Sequence, residues 1–451
     1  MDLTLQKTLF SLSSSLTERF PSAGARILDT ALVPLLSHPW LEAGFRRRHR
    51  AMLTRVRGPR KVLILADIHL GDAVMLQGLV LAVRDFFPES EVHYAVSRAA
   101  RPFLEGDPEV THLWPVYTGA PLPSEQDFAA VRGLIAEGGF DLVVNACPSF
   151  LPGRPLPEGE LTLDFMGHAP RLIRNDRAPV EPNHFLFQSH RFLTDLFRER
   201  WSPQRPMDVR GARIFLDDEA VDTADAFVET GRAYRNKPWV LLNPDGASPY
   251  TRPPEVLLTV LLRQLTAAGA FVLVGEGHTD AGVGIRIQEA LPPGLRARTL
   301  SVPASLPAPG FAALLDRVDV FVSGDTGPLH WGAARKVSRT GGRMFWNQTT
   351  VVSLFGATPA RMSGYDSSKP GFLPAWQDAP SMAFISHAPC QNLTCLNKFH
   401  KTCRNPRCFE GCSPLSVADA VLTRLGEIKS FGTSHPMRIH ESVNQSLLLL
   451  L

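Results

Sequence analysis

The chain lacks long hydrophobic runs: nowhere in its 451 residues do 18 or more apolar residues follow one another, and a bilayer-spanning helix needs about 20. The closing Leu447–Leu451 run is far too short for that role. Cysteine is scarce as well. There are six, five of them between 390 and 412, with Cys147 alone elsewhere. That distribution excludes a disulfide framework across the fold and leaves a local metal site to be weighed. An excess of either charge is also missing, since 47 Lys and Arg against 44 Asp and Glu give a net charge of +3. So mild a basic bias suits an anionic small molecule and is too weak to argue for nucleic acid. The N-terminus carries Asp2 and Lys7, and serines break its apolar run. It lacks the shape of a secretory signal, so the expectation is a cytoplasmic protein, at most peripheral to the inner membrane.

The length exceeds what one core organises and accommodates two α/β domains with some extra. The Pro-rich connectors at 119–123, 148–157 and 303–309 read as ordered loops. No internal repeat of fixed period is present. Residues 1–58 read as a helical, amphipathic extension ending in the basic run Arg46, Arg47, Arg48, His49, Arg50, Arg55, Arg57, Arg60 and Lys61. Two readings stand for it: a helix packed on the first domain with a solvated basic edge, or a contact for anionic lipid headgroups. From Lys61 the pattern becomes alternating strand and helix, beginning with KVLILA, a continuous apolar run of the kind a strand buried on both faces requires. A second such unit starts at WVLLN, residues 239–243. The division expected is 59–200 for the first Rossmann-like domain, 201–238 for a linker with a lead-in helix, 239–385 for the second domain, 386–430 for a Cys-rich segment with a closing helix, and 431–451 for a tail. Two open parallel sheets bind ligands in a cleft at their strand carboxyl ends.

Four segments on the loops leaving those strands carry candidate chemistry. In S-G-D-T-G-P-L-H, 323–330, a buried strand turns through small residues into a helix with Pro328 in its first turn. Asp325 and Thr326 are placed to cap that helix, the free N–H groups beside Gly327 offer an anion site suited to a diphosphate, and His330 lies close enough to join them. An ordinary capped helix is the plain alternative. In H-L-G-D, 69–72, Gly71 permits close approach of another molecule. Asp72 reads either as an N-cap or as a general base aimed into the cleft. The Gly/Pro-rich loop N-P-D-G-A-S-P-Y-T-R-P-P, 243–254, follows the first strand of the second unit and offers Arg252 as its cation; F-G-A-T-P, 355–359, offers Gly356 and Thr358.

Taken in order, Gly71 and Asp72, the 243–248 loop, DTGPLH (325–330) and FGATPA (355–360) resemble glycosyltransferase family 9, the heptosyltransferases of lipopolysaccharide core synthesis and their relatives. The resemblance spans roughly 61 to 365. It implies a GT-B fold, an ADP-heptose donor, and inversion at the anomeric carbon by direct displacement with no catalytic cofactor. The acceptor stays open between a glycan, a lipid-linked and a protein acceptor, and a glycosyltransferase using another nucleotide sugar is the rival within the class. Carried over residue by residue, Asp72 is the base, and Asp325, Thr326, Gly327 and His330 bind the donor. Where the family usually has a phosphate-contacting Lys, this chain has Thr251 beside Arg252. Where an acidic residue usually reads donor hydroxyls, Glu276 and Asp280 compete. An added stretch lies between Ala334 and the strand at 350. A catalytically silent nucleotide-sugar-binding or assembly protein is the rival from another class.

The remaining signal is Cys390, Cys395, Cys403, Cys408 and Cys412, set among residues too polar to form their own core. Thiolate ligation of one structural Zn or Fe ion by 390, 395, 403 and 408 is the expectation, with buried thiols and disulfides as alternatives.

Overall fold

The computed structural model describes residues 39–66, 69–118, 124–147, 162–165, 182–207, 209, 211–246, 251–356, 358–376, 379–386 and 408–430. The first unit is built on β1 (Lys61–Leu65), β2 (Glu91–Ser97), β3 (His112–Tyr117), β4 (Leu142–Asn145) and β5 (Thr162–Asp164). They pair in parallel in the order β3-β2-β1-β4-β5. After β6 (Arg213–Leu216), the second unit runs through β7 (Trp239–Asn243), β8 (Phe271–Gly275), β9 (Thr299–Val302) and β10 (Val320–Gly324). β11 (Arg335–Ser338), β12 (Thr350–Phe355) and β13 (Ser381–Ile385) complete the strands. Its six-stranded parallel sheet has the order β13-β12-β10-β7-β8-β9. Both sheets thus reverse strand order beside their first strand, the doubly wound arrangement of dinucleotide-binding folds.

Burial follows the apolar runs. Val62 to Leu65 of β1 and Trp239 to Leu242 of β7 are inaccessible or nearly so, because helices cover both faces. Local chemistry sets the helix starts: Ser124 and Asp127 form a reciprocal capping box on Glu125–Gly138, and Asp217 caps Asp218–Thr230. The basic helix Pro39–Leu53 lies against Phe185–Phe197, with His49 buried edge-on to Phe192 at 5.7 Å and Arg46 3.7 Å from Asp195. The closing helix Pro414–Ser430 packs on Glu255–Ala267, burying Val417, Val421 and Leu425 in the core of the second unit.

The segment 201–238 holds more than a linker. Arg213–Leu216 pairs in parallel with Arg335–Ser338, inside the added stretch, as a separate two-stranded sheet. Gln77 of the first unit grips this sheet, donating to the Arg213 carbonyl at 2.6 Å and accepting its N–H at 3.0 Å. Arg213 pairs with buried Asp107 at 3.2 Å. Arg339, just past β11, reaches Asp217 at 3.2 Å and the Pro102 carbonyl of the first unit. Phe103 stacks on Trp331 at 4.7 Å beside it. The far end of the added stretch is held by buried Asp316, which accepts the N–H groups of Trp346 and Asn347 at 2.8 and 2.6 Å.

Candidate functional site

Open parallel sheets bind ligands in the crevice where strand order reverses, here between β1 and β4 and between β7 and β10. The candidate residues sit on the loops leaving β1, β7, β10 and β12. After β1, the helix Leu70–Met75 has His69 as its N-cap, without a side-chain capping bond. Asp72 is therefore the third helical residue and not the cap that its position suggested. Its carboxylate is 40% exposed and lies 3.6 Å from His69 Nδ1. A carboxylate in a helix first turn gains from the positive end of the helix dipole. Exposure leaves it able to meet an incoming hydroxyl.

After β10, the helix Gly327–Ala333 has Thr326 in the N-cap position with extended backbone. Its hydroxyl does not cap, contrary to the expectation: it accepts from Asn243 Nδ2 at 3.2 Å and pairs with Ser323 Oγ at 3.1 Å. Asp325 does not cap either. Burial raises its carboxyl above the usual carboxylate range, opposed by the hydroxyls of Thr358 and Ser363. The backbone N–H groups of Thr326 and Gly327 have no acceptor among the described residues.

His330 and the helix start at Gly327 both lie against Gly71 of the first unit. His330 is buried, and burial pulls its pKa down to about 3, so the imidazole is neutral. Nδ1 lies 3.0 Å from the Tyr365 hydroxyl. The opposite ring edge faces the first unit: a Cβ on Gly71 would come within 2.7 Å of His330 Cδ2 and 3.1 Å of Gly327 Cα. Only glycine at 71 allows this approach, and it brings the loop carrying Asp72 directly against DTGPLH.

The loop after β7 is organised from within. Asn243 Nδ2 donates to Ser323 Oγ at 3.0 Å, tying it to β10. Asp245 accepts from the N–H groups of His278 and Thr279 at 2.6 and 2.7 Å, tying it to the loop after β8. Arg252, the expected phosphate cation, donates to Asp280 at 3.1 Å and to the Gly246 carbonyl at 3.1 Å, and lies 3.7 Å from Asp245. Asp280 also pairs with Arg286 at 3.0 Å. The two residues expected to bind donor thus bind each other. Glu276 is partly buried, with Ala304 N at 3.4 Å. A side chain at Gly324 would collide with the Thr251 carbonyl, so the β7 loop folds tightly over the end of β10. Thr358, after β12, has its hydroxyl buried beside Asp325.

Sequence reasoning missed Tyr365, His184, Asn243 and Asp245. Asp245 carried a signal, an acidic residue inside the Gly/Pro-rich turn; Tyr365 and His184 carried none, because their partners are distant in sequence.

Cys390, Cys395 and Cys403 lie outside the described residues. Cys408 and Cys412 are buried in the core of the second unit, and burial pushes the Cys412 thiol up to about 11. A different group of potential ligands, Glu91, His93 and His112, gathers at the amino ends of β2 and β3, away from the crevice. Trp114 Nε1 donates to His93 Nδ1 at 2.9 Å. The neutral ring then keeps its proton on Nε2, facing Glu91, and has no lone pair left for an ion. No helix among the described residues is long and apolar enough to cross a membrane.

No protein-family model matches the chain, and no curated protein matches it by sequence. Solved structures do match its fold. The glycosyl transferase family 9 protein from Veillonella parvula DSM 2008 superposes with a TM-score of 0.56 at 18% identity, over 82% of this chain and 98% of that one. The E. coli ADP-heptose LPS heptosyltransferase II does so with a TM-score of 0.54 at 17% identity, over 82% and 99%. The chain has the two-domain GT-B fold of these glycosyltransferase structures.

Proposed function

We propose that the protein is an inverting glycosyltransferase that moves a heptose or a related sugar from a nucleoside-diphosphate donor, ADP-heptose foremost, to an acceptor hydroxyl. The observation that carries this reading is the seam at Gly71. The loop bearing a half-exposed carboxylate from one unit packs directly on DTGPLH of the other. In the reaction, Asp72 takes the proton of the acceptor hydroxyl as its oxygen attacks the anomeric carbon. The bond from that carbon to the diphosphate oxygen breaks on the opposite face. The departing charge is received by the N–H groups of Thr326 and Gly327. Asp325, His330 and Thr358 shape the donor side. Arg252 and Asp280 act as a strap holding the β7 loop to the β8 loop. The neighbour named for ADP-heptose supports the choice of donor.

A second reading, a nucleotide-sugar-binding protein without catalysis, draws support from the engagement of Arg252 by Asp245 and Asp280, which leaves the diphosphate to backbone donors. Calorimetry decides first between binding and no binding. Wild type is expected to bind ADP, and His330→Ala to bind it several-fold more weakly. Failure of ADP and every other nucleoside diphosphate to bind overturns both readings. A radiolabelled transfer assay then separates enzyme from binder.

The acceptor side carries a second proposal, contact with an anionic membrane surface. Arg47, Arg48, Arg55, Arg57 and Arg60 are exposed at the end of the basic helix and beyond it. Each such cation near a charged bilayer adds about 1 kcal/mol of attraction. The protein is expected to sediment with vesicles containing phosphatidylglycerol and to be released by salt. Equal sedimentation with neutral phosphatidylcholine vesicles rules the proposal out.

A further inference from the structure

The geometry points to Tyr365 as a positioning residue of the proposed donor site: its hydroxyl holds His330 in the tautomer that carries the proton on Nε2, at the edge facing Gly71. This rests on the reading of the crevice as a donor site.

The Tyr365 hydroxyl lies 3.0 Å from His330 Nδ1, and both side chains are buried. A hydrogen bond between them can run either way. If Nδ1 were the donor, the buried tyrosine hydrogen would have no acceptor among the described residues and would carry its full desolvation cost. If tyrosine donates, the hydroxyl and Nδ1 are both satisfied and the ring keeps its one proton on Nε2. Burial holds the ring neutral, so there is one proton to place. Nε2 lies 3.6 Å from where a Cβ on Gly71 would be, at the seam between the two units. The first unit also covers the bond from behind. His184, the N-cap of Phe185–Phe197, has its ring 4.7 Å from that of Tyr365, and its Nδ1 accepts from Leu186 N–H at 3.2 Å. His184 is neutral by the same burial, so no neighbouring cation disturbs the assignment. The device therefore presents a single N–H donor, of fixed direction, from the second unit to the seam.

The test is nitrogen-15 NMR on full-length protein labelled at histidine, with the His330 signals assigned from their loss in His330→Gln. Wild type is expected to show the Nε2–H form; an Nδ1–H form overturns the proposal without any further variant. Tyr365→Phe is expected to give a mixture of tautomers. It is also expected to weaken ADP binding by about 3- to 10-fold, the range for loss of one neutral hydrogen bond, and to add nothing when His330 is already Gln. An unchanged tautomer in Tyr365→Phe, or a loss of affinity that adds to that of His330→Gln, overturns it. If wild type binds no nucleoside diphosphate, the donor-site reading fails, and the spectra alone still decide whether Tyr365 sets the proton.

Discussion

Asp72→Asn is expected to lower the turnover of sugar transfer by about 10²–10⁴-fold and to leave ADP affinity within experimental error, the signature of losing a general base. The asymmetry follows from placement. Asp72 belongs to the first unit, while the loops proposed to hold the nucleotide, after β7 and β10, belong to the second. The substitution preserves size and the hydrogen-bonding reach toward His69. It removes the negative charge favoured in the first turn, a loss of roughly 0.3–1 kcal/mol that is too small to unfold the domain. Any fall in activity then reports on chemistry. Turnover within a few-fold of wild type makes Asp72 a helix-stabilising carboxylate and sinks its assignment as the base.

The largest effect on stability is expected at Asp316. This carboxylate has no solvent exposure and accepts from Trp346 N, Asn347 N and Arg317 Nη1, the last at 3.2 Å. Lys336 is buried beside it. Its ammonium donates to the carbonyls of Gly332 and Ala334, and burial pulls its pKa down to about 8 against the opposing pull of Asp316. Asp316→Ala removes the carboxylate that opposes Lys336 and Arg317 and strands two backbone donors at once. Breaking a buried pair from one side costs about 3–5 kcal/mol, whereas replacing both charges by apolar groups is often neutral. Urea denaturation is expected to show a large fall in midpoint for Asp316→Ala and a partial recovery in Asp316→Ala with Lys336→Met, because the two backbone donors stay stranded. A double variant no more stable than the single one makes stranded charge the wrong explanation.

The legible parts of this molecule are those whose cause is local. β1, β7, β8 and β10 each hold a continuous apolar run, so hydrophobicity alone marks them. The turns at Gly71 and Gly327 follow such strands directly, and that is why Asp72 and DTGPLH could be picked out as crevice residues. β6 and β11 are four residues each, too short to show a period, and their pairing exists only in three dimensions. The same limit governs the site. Arg252 reads as a free cation until Asp245 and Asp280 are brought to it, and nothing near His330 in sequence shows that Tyr365, 35 residues later, engages its Nδ1.

The pairing of β6 with β11 also bears on how the chain reaches its native state. Its two strands lie about 120 residues apart and enclose most of the second sheet, so the loop must close late and at an entropic cost that grows slowly with its length. A strand that precedes the second unit cannot find its partner until β7 to β10 and the helix Gly327–Ala333 have been made. Once formed, that pairing ties the beginning of the second unit to its middle, and Gln77, Asp107 and Arg339 tie both to the first. A cut between β6 and β7 would therefore leave β6 and β11 unpaired on separate fragments and would part Phe103 from Trp331. The two halves are built to be synthesised in sequence and to become stable together.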